Sequence, residues 1–230
     1  MPRRRITLIL LVLLMSMSVA CMGDDDDDNN AASPTSNVTA ADVLASARDT
    51  WDTTESAHFT LKVDGDAYLD DDETIKLVSA EGDIKRPGSV KAQASVDAQI
   101  SVVDISLVAV DGEIFITNLL SGNWEKAPDD FSYDPSILFS DTDGIGPIMT
   151  DLQDPKLDGT EDVNGESAYK ITGTVGADRV SAITAGTIAG DAIEVTLWTA
   201  VDDAKLLRVV LTEPKGVREA PATWNLDLTD

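Results

Sequence analysis

Few residues of this 230-residue chain are placed to do chemistry, and the one with the strongest context is Cys21. It is the only cysteine, so no disulfide can form within the chain. Arg3, Arg4 and Arg5 precede an apolar run from Ile6 to Met15, and Ser18-Val19-Ala20 leads directly into the cysteine. A positive start, an apolar stretch and a small residue at the cleavage point form a secretory signal peptide. A cysteine immediately after that point is the pattern of a bacterial lipoprotein, whose thiol takes a diacylglycerol and becomes the mature N-terminus. Ser18 stands where such sites usually carry Leu. The apolar run is too short for a spanning helix, which needs about 20 residues. Two other readings of the stretch are an ordinary cleaved signal with a leftover cysteine and an uncleaved anchor. The expectation is an exported chain, lipid-anchored to the cell membrane on its extracytoplasmic face, with palmitate among the acyl groups of the anchor.

Other reactive residues lack partners. The single histidine, His58, opens a strand pattern on its polar side, with no serine elbow or second ligand near it in sequence. Asp141-Thr142-Asp143-Gly144 has the first letters of a calcium loop, but the later ligands and the closing Glu are missing, so a turn or helix cap is expected. Thr184 to Gly190 is rich in small residues but has neither the spacing nor the Lys of a phosphate loop, and reads as a mobile lid or connector. Nothing places two carboxylates on one site as a glycosidase requires. The expectation is a protein that is not an enzyme, with no cofactor and no metal.

The charge narrows the partners. Lys and Arg number 17 against 42 Asp and Glu, a formal net charge of -25, and removing Met1 to Ala20 with its three arginines makes it -28. Such acidity argues against nucleic acid and against a protein body lying on anionic lipid head groups. Three segments are expected: a signal peptide over 1–20, an acidic tether over 21–38 that includes Asp24 to Asp28, and one domain over 39–230. The tether has nothing apolar to bury and should be disordered. The domain, about 190 residues long, can bury roughly 70% of its unfolded surface without a disulfide or metal.

Within the domain, Thr39 with Asp42 three residues on predicts a capped helix, with Val38, Val43, Leu44, Ala47 and Trp51 at helical spacing to about Thr54. From Ala57 the period becomes two. Phe59, Leu61 and Val63 form a half-buried strand. Thr74 to Lys85 changes phase midway and predicts a bulge. Val90 to Ala98, Val103 to Ala109 and Glu113 to Thr117 complete a meander of five, with Asp111-Gly112 as a hairpin turn. Short helices are expected at Asp134 to Phe139, at Gly144 to Leu152 and at Ala177 to Ile183. Five further strands lie at Asp154 to Val163, around Ile171, and around Val195, Val209 and Leu226. The fold class is α+β: a large curved antiparallel sheet of about ten strands over a few short helices. A one-sided sheet of that size must curl to cover its apolar face. The helices either fill the concavity or leave a hollow, and pattern alone leaves both open.

The order of several segments resembles the LppX/LprAFG family of bacterial envelope lipoproteins. The matching pieces are Ser79-Ala80-Glu81-Gly82-Asp83-Ile84, Val110-Asp111-Gly112-Glu113-Ile114-Phe115, Asn123-Trp124 and Tyr133-Asp134-Pro135-Ser136-Ile137-Leu138. Val163-Asn164-Gly165-Glu166, Tyr169-Lys170-Ile171-Thr172-Gly173 and Val195-Thr196-Leu197-Trp198 continue the set. The resemblance implies a half-barrel wrapped over helices, LolA/LolB-like, with an apolar cavity that binds multi-acylated lipids or glycolipids and carries them across the envelope. Its lining would come from the inward alternation: Phe59, Leu61, Val63, Val96, Ile105, Leu107, Ile171, Val195, Leu197 and Val209. Ile145, Ile148 and Met149 would cover the mouth. The partners implied are such a lipid, the membrane through the anchor at Cys21, and a membrane transporter, with the chain a monomer. The sequence carries no basic cluster near the expected mouth. Two other functions fit the same pattern: a structural or interaction lipoprotein with a packed core, and a carrier of acylated proteins.

Overall fold

A computed structural model describes residues 38–70, 72–118, 121–128 and 133–229. The expected signal peptide, Cys21 and all of the expected tether before Val38 lie outside the described residues.

Helix α1 (Ala40–Thr53) begins at the expected capping box: the Thr39 side chain accepts from Asp42 N, and the Asp42 carboxylate accepts from Thr39 N. The hydrogen bonds from Thr39 hold the Asp42 carboxyl below its ordinary pKa. Its buried face is Ala40, Val43, Leu44, Ala47 and Trp51. The far end is closed by Arg86, which follows β2 (Lys76–Lys85). Its guanidinium donates to Thr54 O at 2.9 Å, Trp51 O at 3.1 Å and Phe139 O at 3.0 Å, and lies 4.4 Å from the Phe139 ring centroid. One side chain thus ties the last carbonyls of α1 to the 3-10 helix Pro135–Phe139.

Among the described residues the strands form one antiparallel sheet of eleven. They are β1 (Ser56–Asp64), β2, β3 (Ser89–Asp97), β4 (Val102–Val110), β5 (Glu113–Thr117), β6 (Trp124–Lys126), β7 (Gln153–Val163), β8 (Glu166–Val175), β9 (Ile193–Ala200), β10 (Leu206–Thr212) and β11 (Thr223–Thr229). The spatial order is β6-β5-β4-β3-β2-β1-β11-β10-β9-β8-β7. The chain starts in the middle of the sheet and steps outward to β6. It crosses through the 3-10 helix and α2 (Ile145–Asp151) to the opposite edge, and steps back until β11 pairs with β1. Two of the tight connections carry the residues that a right-twisted hairpin needs at positive φ: Asp111 (52°) with Gly112 (78°), and Asn164 (55°) with Gly165 (90°). The expected phase change in β2 is a register shift between Leu77 and Ser79. The strand β6 adds to the expected ten.

Alternation decides the faces. On β9, Leu197 sits opposite Ile171 and Val209, while its neighbour Trp198 sits opposite Lys170 and Arg208. Leu197, Ile171 and Val209 belong to the main core on the concave side. Trp198 joins a small second cluster with Val163, Ala168, Ala200 and Leu207, flanked by the Lys170 and Arg208 cations. The sheet is open and curved, and its concavity holds α1, α2 and α3 (Ala177–Ser181). Gly82 permits the close approach of β2 and β3, since a Cβ there would lie 2.3 Å from Lys91 O. Among the described residues no helix is long and apolar enough to cross a membrane.

Candidate functional site

The concave face is incompletely filled. A cavity of about 330 Å³ lies between β4-β3-β2-β1-β11-β10 and the covering segments. Its wall is apolar: Phe59 and Leu61 on β1, Leu77 and Ala80 on β2, Ala92, Ala94 and Val96 on β3, Ile105 and Leu107 on β4, Val209 and Leu211 on β10, Trp224 and Leu226 on β11. Leu138, Ile145, Tyr133, Ile183 and Ala185 cover it, and it reaches the surface beside the exposed Leu69 and Ala185.

The space exists because of three alanines. Ala80 and Ala94 are cross-strand partners, and Ala92 faces Gly82. Inward-facing positions on neighbouring strands thus carry methyl groups where β1 and β10 carry Phe, Leu and Val. All three stay half-buried although they point inward. A run of small inward residues in register is the sequence signal for the hollow, and reading alternation alone passes over it.

Of the residues expected from sequence, Phe59, Leu61, Val96, Ile105, Leu107, Ile145 and Val209 line the cavity. Val63, Ile171, Val195 and Leu197 are buried in the core away from it. Ile148 and Met149 are also buried, on a helix whose residues Ile145 to Met149 are all inaccessible. Helix α2 is therefore an inner plug against α1, with Gly146 under the Arg48 guanidinium, and not a cover over the mouth. Leu69, Leu77, the alanines, Tyr133, Leu138, Ile183, Ala185, Leu211, Trp224 and Leu226 were not among the expected lining residues.

The cover is held by two polar devices. Tyr133 donates its hydroxyl to Ile183 O at 3.0 Å, bridging the segment before the 3-10 helix to the one after α3. Burial, and then the charge of Asp134, push the Tyr133 phenol above its ordinary pKa. The second is Glu213, whose side chain is fully buried. It accepts from Ala189 N at 2.7 Å and Ala222 N at 2.8 Å and pairs with Arg218 at 2.9 Å. Arg218 donates in turn to Asp66 O and Thr187 O. The run Thr184 to Gly190, expected as a lid or connector, is a packed connector: Thr184, Thr187 and Ile188 are buried, and both threonine hydroxyls bond to nearby carbonyls. His58 pairs with Asp83 across β1 and β2 at 2.9 Å on the outer face, away from the cavity. Among the described residues no three His, Cys, Asp or Glu side chains gather as a metal site.

Comparison with known proteins settles the relationship. The profile of the LppX_LprAFG lipoprotein family matches residues 39–229. The chain belongs to that family. The lipoarabinomannan carrier protein LprG of Mycobacteroides abscessus is 28% identical over 163 residues, covering 71% of this chain and 69% of the relative. Lipoprotein LprA of Mycobacterium tuberculosis is 24% identical over 207 residues, covering 86% and 83%. Among solved structures, LprF from Mycobacterium bovis superposes with a TM-score of 0.66 at 19% identity, covering 83% of this chain and 91% of that one. LppX of Mycobacterium tuberculosis gives 0.58 at 20%, covering 83% and 93%. These two confirm the curved sheet over helices as the fold of the family. Its named relatives are a carrier and lipoproteins.

Proposed function

We propose that this chain is a lipid carrier of the cell envelope, tethered to the membrane through acylated Cys21, which holds acylated lipid or glycolipid in the concave cavity and moves it between membranes without catalysing a reaction. The observation that carries this reading is the cavity wall: thirteen strand residues from six adjacent strands, all of them apolar. The relative LprG, named a lipoarabinomannan carrier, supports it. Each buried methylene contributes about 0.8 kcal/mol, so one long acyl chain gains roughly 10 kcal/mol on leaving water. A bilayer offers nearly the same, so uptake and release are an exchange, as a shuttle needs.

The cavity, at about 330 Å³, is at the low end of the ~300–1,000 Å³ range of ligand sites. It suits part of one lipid, and a multi-acylated cargo requires the cover at Tyr133 and Ile183 to move away from the sheet. The test is native mass spectrometry of the full chain in neutral detergent after incubation with lipids of its own envelope. A parallel protein carries Ala92→Leu and Ala94→Leu, which fill the hollow from its floor. Retained lipid in the first and none in the second, at equal thermal stability, is the expected result. No lipid in either protein would overturn the carrier reading in favour of a packed interaction module.

A further inference from the structure

We propose that the protein docks on a bilayer with the end of the sheet at which the cavity opens, and that the turn between β3 and β4 enters the lipid; the carrier reading supplies the bilayer as occupant. Register brings three connections to that end. Lys76 at the start of β2 pairs with Asp97 at the end of β3, which pairs with Val102 at the start of β4. Asp64 at the end of β1 and Thr212 at the end of β10 both pair with Thr223 at the start of β11. The β1–β2 connection carries the exposed Leu69, which also lines the cavity, and the β10–β11 connection carries the exposed Val217. The β3–β4 turn carries Ile100, 97% exposed, with Val102 beside it at 60%. A lone exposed apolar side chain needs no explanation. Four of the eight large ones exposed among the described residues, however, lie at this one end.

The turn is built to hold Ile100 out. Gln99 takes a φ of 65°, and its N donates to Asp97 Oδ1 at 2.9 Å. Ile100 N donates to Ala98 O at 2.7 Å, and Ala98 N to Ser101 O at 3.1 Å. Gln99 Nε2 donates to Glu73 O at 3.4 Å, which ties the tip to the connection bearing Leu69. Tight turns favour Gly, Asn, Asp and Ser, and a β-branched apolar residue so exposed gains nothing from its own fold. A protein interface centres on a packed, fully desolvated pocket. Single side chains standing off separate loops around an opening offer no such centre, whereas lipid flows around them. Charge does not draw the tip to a membrane, since its charged neighbours are the carboxylates of Glu73, Asp97 and Asp104. Docking is therefore by apolar insertion, and it brings the cavity opening to the lipid surface. The 16 residues between Cys21 and Val38 can span about 60 Å at full extension. That is about twice the length of the nine-residue β4, so an anchor at Cys21 leaves this end within reach of the bilayer.

The test uses the full lipidated chain anchored in phosphatidylcholine vesicles that contain spin-labelled lipid. An environment-sensitive fluorophore is placed on a thiol introduced by Ser101→Cys or, at the far end of the sheet, by Asp202→Cys. Quenching several-fold stronger at residue 101 than at residue 202 is expected, and it should persist in about 1 M salt, which screens charge but not apolar contact. Ile100→Asp combined with Val102→Asp should lower quenching at residue 101 to the level of residue 202 with the thermal transition unchanged. Equal quenching at the two positions, or its loss in salt, overturns the docking assignment; lipid retained by the same protein in neutral detergent then leaves the carrier reading standing. Self-quenching at residue 101 that grows with protein density in vesicles without spin label gives the tip to a second copy and overturns the assignment as well. Quenching at residue 101 with no lipid retained in detergent overturns the carrier reading and leaves the docking end in place.

Discussion

Tyr133 joins two of the segments that cover the cavity with one hydroxyl, and its titration should be visible in stability. Its phenol is held above the ordinary value of 10, so the folded chain binds that proton more tightly than the unfolded one. The contribution is therefore complete below pH 10 and is lost as pH rises beyond it. Urea unfolding across an alkaline series should show stability falling above pH 10, and Tyr133→Phe should flatten that fall while costing about 1 kcal/mol at neutral pH. Identical alkaline slopes for the two proteins would contradict this account. Asp42 has the opposite sign: its lowered pKa stabilises α1 above the ordinary carboxylate value and ceases to do so as pH drops through the folded value.

At the scale of elements, the meeting of β2 and β3 depends on Gly82. A Cβ there would sit 2.3 Å from Lys91 O and 2.7 Å from Ala92 Cα, backbone atoms that cannot step aside. Gly82→Ala should cost about 2 kcal/mol or more. Gly88→Ala, whose Cβ would meet nothing closer than 3.7 Å, should be nearly neutral in the same thermal melts. Most elements were legible beforehand, because Phe59, Leu61 and Val63, or Val195 and Leu197, alternate as half-buried strands must. Strand β6 was not, since Trp124, Glu125 and Lys126 are all exposed and three residues carry no period. The site was half legible. Inward phase can be read along one strand, so Phe59 and Leu107 were placed on the cavity wall. Whether an inward residue meets empty space or a helix depends on where the crossover from β6 to β7 packs. Ile171, Val195 and Leu197 share that phase but lie in the filled part of the core.

The whole sheet is two meanders joined at a single seam, the pairing of β1 with β11 from His58↔Thr229 to Asp64↔Thr223. Ending the chain after Ala222 would remove β11, expose the edges of β1 and β10, and delete Trp224 and Leu226 from the cavity wall. Such a protein should show no cooperative thermal transition by circular dichroism and no retained lipid. A cooperative transition with lipid bound would mean that the seam is dispensable. The seam also sets a timetable for biosynthesis. Strands β1 to β6 leave the ribosome first and can pair with one another, but Val209, Leu211, Trp224 and Leu226 follow more than 80 residues after β6. On the carrier reading, a nascent chain has no closed compartment to load until β11 is released, and a molecule cut before Thr223 should hold no cargo.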